Sequence, residues 1–155
     1  MQRVALDTSV LIPLLQGKNQ SDIDRQRKSR TQALLNDPEV QPVVPAPALA
    51  EFLAFHSFTD PERQDIINKI SPTFDIVALD TAVLVKAGSI LARIPSQAGD
   101  KRQCLKVDAL IVACAVAGKC DSILSTDSDL SDIAGGLIPV NEPPEIAVEQ
   151  DLDFE

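Results

Sequence analysis

Four acidic residues, Asp7, Glu51, Asp108 and Asp127, lie far apart in the chain, each in or beside an apolar segment. Carboxylates with no histidine triad and no glycine-rich phosphate loop suit a hard divalent cation such as Mg²⁺ or Mn²⁺, which takes oxygen ligands. Such an ion lowers the pKa of a bound water and neutralises charge building up on a phosphodiester. Each acid also has an ordinary explanation. Asp7 and Asp127 follow apolar strands and precede helices, the place of an N-cap. Glu51 sits in Pro47-Ala48-Leu49-Ala50-Glu51-Phe52-Leu53-Ala54-Phe55. There it is either buried, which is costly without a partner, or set on a narrow exposed stripe. Asp108 heads Ala-Leu-Ile-Val-Ala-Cys-Ala-Val-Ala, a helix apolar all round and so central to the fold. Capping accounts for part of its presence.

The elements that must position these acids follow from patterning. Residues 3–6 form a short apolar run suited to a strand buried on both faces. Asp7-Thr8-Ser9 supplies capping side chains for a helix over residues 10–15. A second helix is expected over residues 21–36, stopped by Asp37-Pro38. Residues 41–44 give a second strand, and Pro45 and Pro47 bracket the start of the Glu51 helix. Asp60-Pro61-Glu62 opens a further helix. Residues 74–79 read as a third strand, with Asp80-Thr81 capping a helix over residues 82–94. Residues 95–101 read as a loop, and Ala109 to Gly118 as the apolar helix, with the glycine as its stop. Residues 122–125 give a fourth strand, 127–133 a short helix, Gly135-Gly136 a turn and 137–140 a fifth strand. Alternation of this kind indicates an α/β domain, with a central, mostly parallel five-stranded sheet between helices. Ligands of such sheets sit beyond the carboxyl ends of the strands, where Asp7 and Asp127 fall.

The 155 residues are enough for one compact domain with a proper core. No apolar run approaches the roughly 18–20 residues needed to span a bilayer. The start, MQRVALD, has no secretory pattern and is expected to enter the fold directly. Cys104, Cys114 and Cys120 include no close pair, and the single histidine, His56, is distant in sequence. A reduced, cytoplasmic setting fits them better than a zinc site. The net charge of -9 by itself disfavours nucleic acid, but the last fifteen residues hold six negative charges and no positive one, which leaves -3 for the remainder. The expected division is a folded domain over residues 1–141 and an acidic tail over 142–155, disordered or partner-bound. Two basic segments, Lys18 to Arg30 and Arg93 to Lys106, could touch a phosphate backbone or serve as solvated faces.

Val4-Ala5-Leu6-Asp7-Thr8-Ser9, Pro47-Ala48-Leu49-Ala50-Glu51, Asp108-Ala109-Leu110-Ile111-Val112-Ala113 and Leu124-Ser125-Thr126-Asp127-Ser128-Asp129-Leu130 together resemble the PIN domain, nearest to the VapC-type toxins of prokaryotic toxin–antitoxin pairs. The likeness runs from about residue 2 to 141. No one motif is specific, whereas four in this order are. The resemblance implies a three-layer PIN-like sandwich and a Mg²⁺- or Mn²⁺-dependent ribonuclease, with Asp7, Glu51, Asp108 and Asp127 as the acidic quartet. On that basis Asp7, Asp108 and Asp127 hold metal, Glu51 orients or deprotonates the attacking water, and Asp129 is an auxiliary acid. Thr8 and Ser125 match supporting hydroxyl positions, although both also read as turn or cap hydroxyls. Leu130 replaces an aromatic residue common in the family, and the tail has no counterpart in the family core. The resemblance further implies an antitoxin partner and a homodimer. Which RNA is cut stays open: with five Phe and no Tyr or Trp, base stacking has few platforms, so shape and backbone contacts carry more weight.

Other readings are a stand-alone PIN nuclease in RNA processing, a catalytically silent PIN-like binding module, and a carboxylate-edged phosphatase. A haloacid-dehalogenase-like phosphatase needs Asp-x-Asp after its first strand, and position 9 is Ser.

Overall fold

The computed structural model describes residues 1–16, 21–55, 57–95 and 101–144. Twelve elements follow one another among them: β1 (Gln2–Leu6), α1 (Thr8–Leu15), α2 (Asp22–Leu35), β2 (Val40–Pro45), α3 (Ala46–Phe55), α4 (Asp60–Ile70), β3 (Asp75–Val77), α5 (Thr81–Leu91), α6 (Lys101–Ala117), β4 (Ser122–Leu124), α7 (Ser128–Ala134) and β5 (Val140–Asn141). All five strands are parallel, in the order β3-β2-β1-β4-β5. The chain builds outward from β1 through β2 to β3, then returns to the other side of β1 for β4 and β5. The order therefore reverses between β1 and β4, the switch point at which open α/β sheets leave a crevice beyond the carboxyl ends.

The core follows from composition. Val4, Ala5 and Leu6 of β1, Val43 and Val44 of β2 and Ile123 of β4 have no more than 1% of their surface exposed, as continuous apolar strands require when helices cover both faces. Residues Ile111 to Ala115 of α6 are fully buried, and this helix packs on α3, α5, α7, β2 and β4. The stretch from Ile111 to Ala115 thus has neighbours on every side, hence its apolar sequence, whereas Gln103, Cys104 and Lys106 nearer the start of the helix are exposed.

Several boundaries differ from the sequence-based expectation. The largest difference is in α6, which begins at Lys101, not after Asp108. Residues Lys101 to Val107 contain no glycine or proline, so nothing stops the helix from extending backward. Asp108 is thus an interior helical residue and caps nothing. The stop also differs: Lys119, not Gly118, takes the left-handed conformation (φ 55°). Its amide donates to the Val116 carbonyl at 3.1 Å, and that of Cys120 to the Ala115 carbonyl at 2.9 Å, which is a Schellman closure. Gly118 is required for another reason: a Cβ there would stand 2.8 Å from the Cys114 carbonyl oxygen and 3.0 Å from Val77 Cγ2. The strands expected over residues 74–79 and 137–140 shrink to Asp75–Val77 and Val140–Asn141, because only those residues face a paired neighbour. Of the expected tail, residues 145–155 lie outside the described residues, whereas Pro143 is buried.

The three cysteines are free. Burial pushes the thiols of Cys114 and Cys120 up to about 11, so neither is a ready thiolate. His56, considered for a zinc site, lies outside the described residues. Among the described residues, no helix is long and apolar enough to cross a membrane.

Candidate active site

Asp7 ends β1 and caps α1, with 4% of its surface exposed. Its backbone amide donates to the Leu124 carbonyl at 3.0 Å, which carries the β1–β4 pairing to the very edge of the sheet. Two hydroxyls hold its carboxylate: Ser9 Oγ donates to Oδ2 at 2.7 Å, and Ser125 Oγ donates to the same oxygen at 2.8 Å. A longer bond from the Ser9 amide, 3.4 Å, also ends on Oδ2. The two hydroxyls in turn accept the next amides of the β4–α7 turn. Thr126 N–H donates to Ser9 Oγ and Asp127 N–H to Ser125 Oγ, both at 3.0 Å. Each hydroxyl has a single proton to give, and both protons go to Asp7, so the 3.3 Å separation of the two Oγ atoms needs no further bond. The ends of β1 and β4 are laced together through one carboxylate oxygen. Among the described residues, the hydrogen bonds to this carboxylate all end on Oδ2.

Glu51 lies on α3 and is exposed, together with Ala50 and Ala54, while Ala48, Leu49 and Phe52 turn inward. The narrow exposed stripe is therefore the correct reading of its apolar surroundings, and burial is not what singles it out. Its partner is: Thr8 Oγ1 donates to Glu51 Oε1 at 2.9 Å, joining α3 to the first turn of α1. Asp108 is partly buried on α6, one residue ahead of the fully buried Ala109. Asp127 follows β4 and caps α7, its Oδ1 accepting from the Asp129 amide at 2.9 Å. Asp127 is exposed and Asp129 partly buried.

These acids act on one another. The Asp108 carboxyl is pushed up to about 7, first by burial, then by the negative charges of Asp127, Asp7, Glu51 and Asp129 in that order. Like charges and a low-dielectric wall both disfavour the ionised form. All five acids considered from sequence thus share one electrostatic neighbourhood at the carboxyl edge, and among the described residues no basic side chain contributes to the shift. Among the described residues, no three of them stand close enough to hold an ion as they are, as expected of carboxylates that repel. The donor chemistry nonetheless fits a hard divalent ion: oxygen donors alone, one of them a buried carboxylate whose hydrogen bonds from the described residues fall on one oxygen.

Ser9 is the residue that sequence reasoning passed over. It entered only as a cap hydroxyl and as the residue that breaks an Asp-x-Asp pattern, yet it bonds Asp7 as closely as Ser125 does. The available signal was its place two residues after a strand-ending Asp, in the first helical turn. Among the basic segments, Lys18 lies outside the described residues, and Arg25 and Lys28 are engaged within their own region, by Asp22 and by the Gln16 carbonyl.

The chain resembles three solved structures over nearly its whole length. With VapBC2 from Rickettsia felis, bound to a DNA fragment from its promoter, it shares 11% identity at a TM-score of 0.60, covering 91% of this chain and 98% of the other. With VapBC-1 from nontypeable Haemophilus influenzae the values are 14%, 0.62, 91% and 98%. With a toxin–antitoxin complex from Klebsiella pneumoniae they are 18%, 0.58, 92% and 99%. At such identities the likeness is one of fold. No curated protein sequence matches. The PIN domain family model matches residues 4–136, a span that holds all five acids and the carboxyl ends of β1 to β4, so the chain belongs to the PIN domain family.

Proposed function

We propose that this chain is a Mg²⁺- or Mn²⁺-dependent endoribonuclease of the VapC type, the toxin of a toxin–antitoxin pair. The observation that carries the reading is the mutual repulsion at the carboxyl edge, where burial and four other acids push the Asp108 carboxyl up to about 7, with no cation of the described residues among the causes. A site of that kind stores a standing demand for positive charge. Asp7, Asp108 and Asp127 are the residues that would hold the ion, with Asp129 auxiliary. Asp127 outranks Asp129 in its effect on Asp108, which supports it as the principal acid of the last motif. When bound, a divalent ion supplies acidification of water and neutralisation of charge on the phosphate.

The chain's own residues do the rest. Ser9 and Ser125 fix the position of the Asp7 carboxyl by donating to Oδ2. Thr8 holds Glu51 by one carboxylate oxygen, leaving the other to orient a water or take its proton. The similar folds come from complexes named as VapBC or as toxin–antitoxin pairs, which supports an antitoxin as partner. A homodimer, a cytoplasmic setting and a boundary near residue 141 complete the proposal.

The test is cleavage of single-stranded RNA by the purified chain with Mg²⁺, with Mn²⁺ and with EDTA. Cleavage is expected only with metal, and Asp7→Asn or Asp108→Asn should lower it by about 10²-fold or more, the scale of losing one pre-set electrostatic contact to a transition state. Cleavage that persists in EDTA, or at full rate in either variant, would sink the reading.

A further inference from the structure

A second feature of the carboxyl edge is cationic. On α2, Ile23, Arg27 and Arg30 are spaced i, i+4, i+7, and Gln26 lies beside them, so all face one way. They line a cavity of about 160 Å³ whose other walls are Thr126, Glu142 and Pro143. Thr126 follows β4 and Glu142 follows β5, so the cavity opens beyond the carboxyl ends of two adjacent strands. Thr126 is also the residue between Ser125 and Asp127, and its amide donates to Ser9 Oγ. Cavity and acid cluster share one stretch of backbone.

We propose that Arg27 and Arg30 form a binding subsite for a backbone phosphate of single-stranded RNA, next to the phosphate held at the acids. The assignment rests on the nuclease reading for its place in the reaction, not for its test. Four cations stand along this helix, and their surroundings separate them. Arg25 pairs with Asp22, and Lys28 Nζ donates to the Gln16 carbonyl at 3.3 Å. Arg27 keeps only a loose ion pair, 3.9 Å from Asp24 Oδ1. Arg30 is partly buried and makes no ion pair among the described residues. The two least engaged cations are therefore the two that face the cavity.

The chemistry fits a phosphodiester. A guanidinium fork matches two phosphate oxygens at once, and the Gln26 amide and Thr126 hydroxyl add neutral donors. The volume holds a phosphate with part of its hydration, a water's share of liquid being about 30 Å³. Ile23, 61% exposed, and the buried Pro143 give an apolar wall against which a ribose or base can lie. A strand crossing the acid cluster meets strong negative potential, and a pair of arginines in the cavity that Thr126, the neighbour of Asp127, also lines offsets it. Glu142 opposes them from the same cavity, and no ion pair joins it to either arginine among the described residues.

Binding of a labelled single-stranded RNA oligonucleotide to the full chain carrying Asp108→Asn, followed by anisotropy across a salt series, tests the subsite without cleavage. Adding Arg27→Gln and Arg30→Gln should weaken binding about tenfold or more. It should also flatten the slope of log K against log salt by about 1.4, two contacts at about 0.7 each for a single strand. Arg25→Gln should change neither, and Glu142→Gln should tighten binding. Thermal melting of each variant checks the fold, and Arg30→Gln alone, with half the slope change, serves if the double variant melts early. Unchanged affinity and slope in the arginine variants would overturn the subsite, as would an Asp108→Asn chain that binds no RNA. If arginine-dependent binding holds while the chain with Asp108 intact cuts no RNA in Mg²⁺ or Mn²⁺, the nuclease reading falls and the subsite stands.

Discussion

At the amino end of the sheet Arg3 is surrounded by its counter-charges, whereas at the carboxyl end Asp7 is surrounded by acids and hydroxyls. Arg3 Nη2 donates to Asp75 Oδ2 at 2.6 Å and Nε to the Gly118 carbonyl at 3.0 Å, while its backbone amide donates to Asp121 Oδ2 at 2.8 Å. One side chain thereby ties β1 to β3 and to the turn before β4, with opposite charges in contact. At the other end the same central strand gathers five acids, and among the described residues the hydrogen bonds that steady Asp7 and Glu51 come from neutral groups. Matched charge at one end serves the fold. Unmatched charge at the other is a cost to the fold that makes sense if a ligand relieves it.

Variants can break that contrast at either end. The largest effects after the Asp7 and Asp108 substitutions should come from Ser9→Ala and Ser125→Ala. Each removes a hydroxyl that orients a would-be metal carboxylate, and each should weaken metal affinity or activity by about 10- to 100-fold. Titration with Mn²⁺ and RNA cleavage would measure this, and a Ser9→Ala chain indistinguishable from the parent in both would reduce Ser9 to a cap. At the amino end, Arg3→Ala should lower stability by about 1 kcal/mol, the scale of a partly exposed pair plus one hydrogen bond, and leave metal-dependent cleavage unchanged. Denaturant unfolding beside a cleavage assay decides it; lost activity in a folded Arg3→Ala chain would couple the two ends.

The smallest effect sharpens the electrostatic side. In the folded chain the Asp108 carboxyl titrates near 7, above its unfolded value of about 3.9. Its contribution to stability is therefore full below the unfolded pKa and is lost as pH rises through 7. Without metal, Asp108→Asn should melt a few degrees above the parent at pH 8, and the gap should close by about pH 4. Added Mg²⁺ should stabilise the parent more than the variant at pH 8. A variant that melts with the parent at both pH values would show that Asp108 carries no such strain.

The parallel α/β architecture was legible because its signals are local. Apolar runs of strand length, prolines at helix starts and Asp or Thr before a helix report on their own neighbourhood, and β1, α1, α3 and α7 sit within a residue or two of their expected bounds. Asp80 and Asp127 cap helices as read, and Asp7 caps α1. The beginning of α6 was not legible, since helix continuation through Lys101 to Val107 is settled by packing and not by a stop signal. The short third and fifth strands were over-read, because an apolar stretch becomes strand only where a neighbour supplies hydrogen bonds.

The acid quartet was visible in the chain as residue types at strand ends and in apolar helices, and that much depends on sequence alone. Their gathering into one electrostatic site is a property of the sheet order: β1 and β4 are separated by 115 residues, Asp7 to Asp121, and become neighbours only because the strand order reverses at β1. The same holds for Ser9 and Ser125 closing on one oxygen of Asp7, and for Arg27 and Arg30 facing Thr126. Local patterning decides which segments are helix or strand, since short-range sterics and hydrogen bonding set it. Which distant side chains share a pocket is decided by topology, because only packing brings them within reach of one another's charge.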